Sequence, residues 1–207
     1  MLALLPRCSR SLLGYAGTGG FFYGGMYAYI AGTPFAYITY HHVSPQAYGV
    51  LLGAGIAGIM ITNLVNSRLV TRLGSDRLMR AGTIGAAIAG MPLAVAARTG
   101  WGGLAGLVIP LFLFVSATGF IVANSIAGAL GTFPGRAGAV SALIGAIQYG
   151  TSIVGSALVG VGTDGTPWRM GVVIALLSIG SLLCALFLVQ SPAVAPSVIR
   201  PARVSTD

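Results

Sequence analysis

The chain has no lysine and no glutamate, and only three aspartates (Asp76, Asp164, Asp207) among its 207 residues. Without lysine there is no G-x-x-x-x-G-K-[ST] loop, whose lysine reaches the distal phosphates of ATP, so a P-loop ATPase is excluded. All three aspartates lie outside the long apolar stretches, so the buried carboxylate that proton-coupled carriers generally use is missing. Histidine is nearly as scarce. His41 and His42 are adjacent, about 100° apart on a helix, and do not form the i, i+4 pair that a shared metal wants. They read as a solvated interfacial pair, with a pH-sensing turn as the alternative. With no base elsewhere, serines such as Ser125, Ser141 and Ser152 assemble no catalytic triad. We therefore expect no enzyme, no metal and no cofactor. The two cysteines, Cys8 near the N-terminus and Cys184 within an apolar stretch, supply no disulfide framework. Charged residues make up 7% of the chain, against about 25% in a typical soluble domain, which excludes a soluble fold.

What is present is hydrocarbon and glycine. Hydrophobic residues reach 56%, and they fall into six long, almost uncharged stretches at about 16–40, 46–66, 81–97, 103–130, 138–162 and 169–190. Crossing roughly 30 Å of bilayer takes about 20 apolar residues in a helix. No stretch alternates as a barrel strand does. The reading is an all-α integral membrane protein: a lead-in at 1–14, a six-helix bundle at 15–190 and an extended, proline-bearing tail at 191–207. The 32 glycines sit within apolar runs, where small residues let helices approach closely.

A net charge of +8 invites a nucleic-acid reading, but all eleven basic residues are arginines at the ends of apolar runs or between them, so no nucleic-acid partner is expected. Arginine placement sets orientation instead, because basic loops stay cytoplasmic. Arg7, Arg10, Arg68, Arg72, Arg77, Arg80, Arg136, Arg200 and Arg203 belong to one side, and only Arg98 and Arg169 to the other. Both termini should be cytoplasmic, as six crossings of the cell's inner (plasma) membrane require.

Polar residues inside the spans are the candidates for a site. Ser141, Gly145, Gln148 and Ser152 recur at helical spacing on one face of the fifth span. Asn124 lies deep in the fourth, where an amide has to find a partner or a wet cavity. Phe22, Met26, Tyr29, Thr33 and Tyr37 form a stripe on the first span, with Pro34 as a kink. A neutral cleft lined by aromatic, amide and hydroxyl groups suits bulky, weakly polar organic molecules.

Several of these residues carry a resemblance. Tyr29-Ile30-Ala31-Gly32-Thr33-Pro34-Phe35 followed by Val43-Ser44-Pro45-Gln46-Ala47-Tyr48-Gly49 resembles the start of the second half of Bcr/CflA drug-resistance transporters of the major facilitator superfamily. Asn66-Ser67-Arg68-Leu69-Val70 with Arg72, Gly74, Arg77 and Leu78 looks like that family's eighth-to-ninth helix connection. Ala123-Asn124, Ala127, Leu130, Ala137-Gly138, Ser141-Ala142-Leu143, Gly145 and Gln148 are similar to its tenth and eleventh helices. The resemblance is collinear from about Arg10 to Val189 and implies helices seven to twelve of a twelve-helix bundle, as two inverted three-helix repeats. The cytoplasmic loop motif G-x-L-A-D-R-x-G-R-R registers as a degenerate copy on residues 67–76. Arg68, Arg72, Gly74, Asp76 and Arg77 mark the region, Thr71 takes the acidic place, and Asp76 stands near Arg72 and Arg80 as a substitute ion-pair partner.

The resemblance implies proton-driven multidrug efflux of the bicyclomycin or sulfonamide type. This chain would supply one wall of the cavity, through Tyr29, Thr33, Asn124, Ser141 and Gln148, and a partner half or a second copy would face it across the bilayer. Asn124 and Gln148 are expected on a wet, neutral flank turned to that partner. The alternative is a non-transporting membrane interaction protein or an inactive transporter fragment, in which the same polar residues are helix glue.

Overall fold

The computed structural model describes residues 5–161 and 165–189, with the side chains of 5–9 and Pro134 excepted. The tail at 191–207 and the expected ends of the fifth and sixth spans, Gly162 and Gln190, lie outside the described residues.

The described residues form helices and no strand. Helix α1 spans Leu5–Pro34, so the lead-in from Leu5 onward and the first span are one continuous helix. At Pro34 the missing N–H and the ring's clash with the preceding turn loosen the winding, and the chain continues as a π-helical segment, Phe35–Tyr40. The expected kink is thus a change of pitch. Helix α2 runs Pro45–Leu73, with Pro45 in its first turn and the Ser44 hydroxyl accepting from the Ala47 N–H at 3.3 Å. Gly74, at φ +80°, separates it from α3, Ser75–Thr99. Gly100, in the left-handed region, closes α3 by donating its N–H to the Ala96 carbonyl.

The fourth span is broken. Helix α4 covers Gly103–Ser116 and α5 covers Thr118–Thr132, with Ala117 between them. The Phe120 N–H turns back to the Ala117 carbonyl at 3.0 Å. From α2, the Thr62 hydroxyl donates to the Ser116 carbonyl at 2.6 Å. A side chain on a neighbouring helix thus completes backbone hydrogen bonding at the break, which membrane depth demands. Helices α6, Ala137–Gly160, and α7, Trp168–Phe187, complete the bundle.

Five of the six spans are long and apolar enough to cross a membrane. The first is diluted by its glycines and tyrosines. The architecture is an all-helical six-span bundle of the kind that makes half of a major-facilitator-type transporter. Helix α1 is central, packed on α5, α6 and α7, while α3 packs on α4, α5 and α7. Small residues set the closest crossings: a Cβ on Gly171 would stand 3.2 Å from the Leu93 carbonyl oxygen, and Gly155 abuts the Gly24 backbone. Large side chains fill the centre, where Phe22 and Phe114 rings meet at 5.0 Å. The outer helices differ. Helix α2 buries only Gly55, Gly58 and Asn66, and it exposes Val50, Ile56, Met60 and Ile61. Helix α6 likewise exposes Tyr149, Ile153, Val154 and Leu158.

Candidate functional site

The buried polar side chains of the described residues are amides and hydroxyls, none of them charged. The five candidates divide into separate groups.

Tyr29 and Thr33 lie toward the His41 end. Both are buried. The Thr33 and Tyr48 hydroxyls lie 3.2 Å apart, joining α1 to α2, and Tyr48 meets the Tyr37 ring edge-on at 6.0 Å. Tyr29 and Tyr37 line a cavity of about 170 Å³ between α1, α2 and α4, otherwise walled by Phe112 and by aliphatic residues such as Leu51, Val108 and Leu111. The Tyr29 hydroxyl reaches toward Gly55, 3.6 Å from where a Cβ there would stand. This chamber pairs phenol groups with a hydrocarbon wall. The sequence placed Tyr37 on the same stripe as Tyr29 and Thr33, and Tyr48 was read only as part of a motif.

Asn124 and Gln148 lie roughly 15 Å further along α1, near Gly19, counting ten residues at 1.5 Å each. Asn124 is 2% exposed and donates from Nδ2 to Asn66 Oδ1 at 2.6 Å and to the Phe120 carbonyl at 2.8 Å. Asn66, read in the sequence as a span end, is the buried partner that ties α2 to α5. Gln148 is 4% exposed, and its Nε2 is buried with no hydrogen-bond partner. A Cβ on Gly19 would stand 2.9 Å from both Gln148 Nε2 and Ser125 Oγ, so only glycine leaves room for the pair. An unpaired amide in hydrocarbon forfeits about 1–3 kcal/mol. It is a buried donor without a hydrogen-bond partner among the described residues.

The structure thus places Asn124 and Gln148 inside this chain's own bundle, not on its outward flank. The reason is geometric: α5 turns Asn124 to α2 and the adjacent Ser125 to α1, and α6 turns Gln148 onto α1. Ser141 stands apart, exposed, two turns of α6 from Gln148. On the outer side of α1 and α6, Tyr23 stacks on Tyr27 at 6.3 Å and meets Tyr149 edge-on at 6.2 Å. The i, i+4 spacing of Tyr23 and Tyr27 was the available signal for this cluster.

At the arginine-rich end, Arg68, Arg72 and Arg77 are exposed and Gly74 is the inter-helix hinge. Asp76 accepts a 2.6 Å hydrogen bond from the Tyr15 hydroxyl of α1. Arg80 turns to the Val189 carbonyl at 2.8 Å. The expected pairing of Asp76 with Arg72 or Arg80 is replaced by a phenol–carboxylate contact between α1 and α3. At the other end His41 packs edge-on against Tyr40 at 4.9 Å. Partial burial, and secondarily the neighbouring His42, hold the His41 pKa below the ordinary histidine value.

Such a set of groups offers hydrogen bonds and aromatic faces to a neutral molecule, and among the described residues the one carboxylate in a membrane-length helix is Asp76, at the arginine-rich end of α3.

The sequence comparisons agree with this architecture. The chain is 34% identical over 174 residues to the uncharacterized MFS-type transporter YdgK of Bacillus subtilis, covering 84% of this chain and 43% of that protein. It is 27% identical over 156 residues to a bicyclomycin resistance protein homolog of Haemophilus influenzae, covering 75% of this chain and 39% of that protein. The chain therefore spans less than half the length of these curated relatives. No family model and no solved structure matches it. It is a multi-pass membrane protein, and it resembles half of a Bcr-like transporter of the major facilitator superfamily.

Proposed function

We propose that this chain forms one wall of the substrate cavity of a proton-driven efflux antiporter that exports neutral or weakly polar, drug-like organic molecules. The observation that carries the reading is the outward face of α6, where Ser141 and Tyr149 are exposed, on a bundle whose buried polar groups among the described residues are all uncharged. The likeness to a bicyclomycin resistance protein homolog supports the drug class. In this reading Tyr29 and Thr33 form an aromatic-hydroxyl subsite, Gln148 supplies a hydrogen-bond donor, Asn124 holds the wall in register through Asn66, and Ser141 stands at the cytoplasmic mouth. A partner half, either six further helices or a second copy of the chain, faces the bare sides of α2 and α6. It brings the proton-carrying carboxylate, because the one carboxylate of the described spans, Asp76, stands at the arginine-rich end of α3, bonded to Tyr15. Both termini lie in the cytoplasm, and the membrane is the cell's inner membrane.

A second reading has its own observation. The Asn66–Asn124 pair is satisfied within the chain, as helix glue is, which suits a non-transporting interaction protein or an inactive fragment. Drug susceptibility of cells expressing the chain separates the two. Bicyclomycin and a panel of neutral drugs are tested against the wild type and against Gln148→Leu, with membrane levels matched. Resistance above empty vector that Gln148→Leu abolishes supports transport. Indistinguishable curves for wild type, variant and empty vector support the second reading.

A further inference from the structure

Helix α3 packs on both parts of the broken fourth span, α5 near one end and α4 near the other. Near one end, a Cβ on Gly82 would stand 2.8 Å from Phe120 Cβ; near the other, a Cβ on Gly106 would stand 3.3 Å from Ala96 Cβ. The fourteen residues from Gly82 to Ala96 put these contacts roughly 21 Å apart. Pro92 in α3 and Pro110 in α4, each of which removes a backbone donor, lie between the contacts and line the opening. Between the helices lies a cavity of about 760 Å³, lined also by Gly85 and Ala89 of α3 and by Thr62 of α2. Its rim residues Ile88, Ile109 and Leu113 are 65%, 60% and 54% exposed, so it opens outward.

We propose that this cavity is a binding site for a single phospholipid acyl chain drawn from the surrounding bilayer. Of its two hydroxyls, Thr62 donates to the Ser116 carbonyl, and Ser116 Oγ is buried beside Gly58 without a hydrogen-bond partner. The remaining wall is hydrocarbon and glycine. Each water needs about two to four polar partners, and a lining whose free polar atoms are as few as Ser116 Oγ and the Trp101 indole N–H does not hold water throughout such a space. An empty space of this size forfeits dispersion contacts along its whole lining. The medium at its mouth is hydrocarbon, because α3 is a membrane-length apolar helix. The distance between the two contacts falls between the half-thickness and the full thickness of a bilayer core of about 30 Å, a length that one extended chain fills. The site is distinct from the Tyr29 chamber and does not depend on the transport reading.

The test uses the full chain in phosphatidylglycerol vesicles doped with a phosphatidylcholine that carries a mid-chain diazirine. After illumination, tryptic cleavage at Arg80 and Arg98 isolates the 81–98 peptide of α3. Adducts per exposed residue on that peptide should exceed those on the outward face of α2 severalfold. Phenylalanine at Gly85, where an added Cβ meets nothing within 4 Å, should lower them to the α2 level. Ala105→Phe, entering from the α4 wall, should do the same. Ile84→Phe, one residue outside the lining, should leave labelling unchanged. Equal labelling of the two faces in the wild type overturns the proposal. So does labelling that survives both filling variants, or an 81–98 peptide without adducts, which would mean a second protein segment or collapse fills the space.

Discussion

Replacing Asn124 by leucine tests whether the Asn66–Asn124 contact holds α2 to the bundle. Asn124 Nδ2 donates to Asn66 Oδ1 and to the Phe120 carbonyl, and both amide residues are less than a tenth exposed. Interhelical hydrogen bonds in membrane proteins average about 0.6 kcal/mol and reach about 1.7. A buried partner left unpaired adds a penalty of about 1–3 kcal/mol. Asn124→Leu strands Asn66 Oδ1, so it should destabilise by about 2–3 kcal/mol. Asn66→Leu leaves Asn124 its Phe120 bond and should cost about 1 kcal/mol less than that. The double variant, with no stranded group, should be less destabilised than the sum by about 1–2 kcal/mol, a coupling that adjacent side chains in one network show. Helical circular dichroism of the purified chain, followed through a titration with denaturing detergent in mixed micelles, measures all four corners. If the single effects add to within about 0.3 kcal/mol, the two amides do not interact and the account of α2 docking is wrong.

Three further outcomes follow from the geometry. Gly155→Ala places a methyl group on the Gly24 backbone and should destabilise by about 1–3 kcal/mol, whereas Gly145→Ala, with nothing within 4 Å, should stabilise by about 0.5–1 kcal/mol; the same detergent titration reads both. Tyr15→Phe removes the phenol bond to Asp76 and should lower stability by about 1.5–3 kcal/mol, the range for hydrogen bonds to charged groups; Asp76→Asn added to it should then lower stability little further. His41 should titrate below an ordinary histidine by nuclear magnetic resonance. His42→Ala should raise its pKa without restoring the ordinary value, because burial is the larger cause. Protonating His41 therefore opposes its packed position, and the contact with Tyr40 should loosen as pH falls through that value.

The helices were legible because apolar runs of span length, bounded by arginine, Pro and Gly, leave a chain few alternatives. The start of α2 was legible at Pro45, but the stretch between Asn66 and Ala81, read as a connection because of its arginines, is helical on both sides of Gly74, to Leu73 and from Ser75. The break at Ala117 was not legible: it is stabilised by Thr62, 54 residues away, and nothing in 103–130 singles it out. The same limit governs the site. The sequence identified Asn124 and Gln148 as polar groups in hydrocarbon, but their direction depends on which helix lies opposite. Asn66 and Gly19 turned them inward. Asp76 was recognised as an acidic group near arginines, and the contact it makes comes instead from Tyr15, which sequence reasoning left at the edge of a span.

The proposed function depends on a wet crevice beside α6, and cysteine accessibility in native membranes tests it most directly. With Cys8 and Cys184 replaced by serine, single cysteines are placed at Ser141 and Gly145 on the proposed aqueous side and at Ile88 on the outward face of α3. A membrane-impermeant thiosulfonate applied to inside-out vesicles should label the first two and leave the third unmodified. If Gly145→Cys is as inert as Ile88→Cys, there is no aqueous path along α6, and the chain does not form a cavity wall.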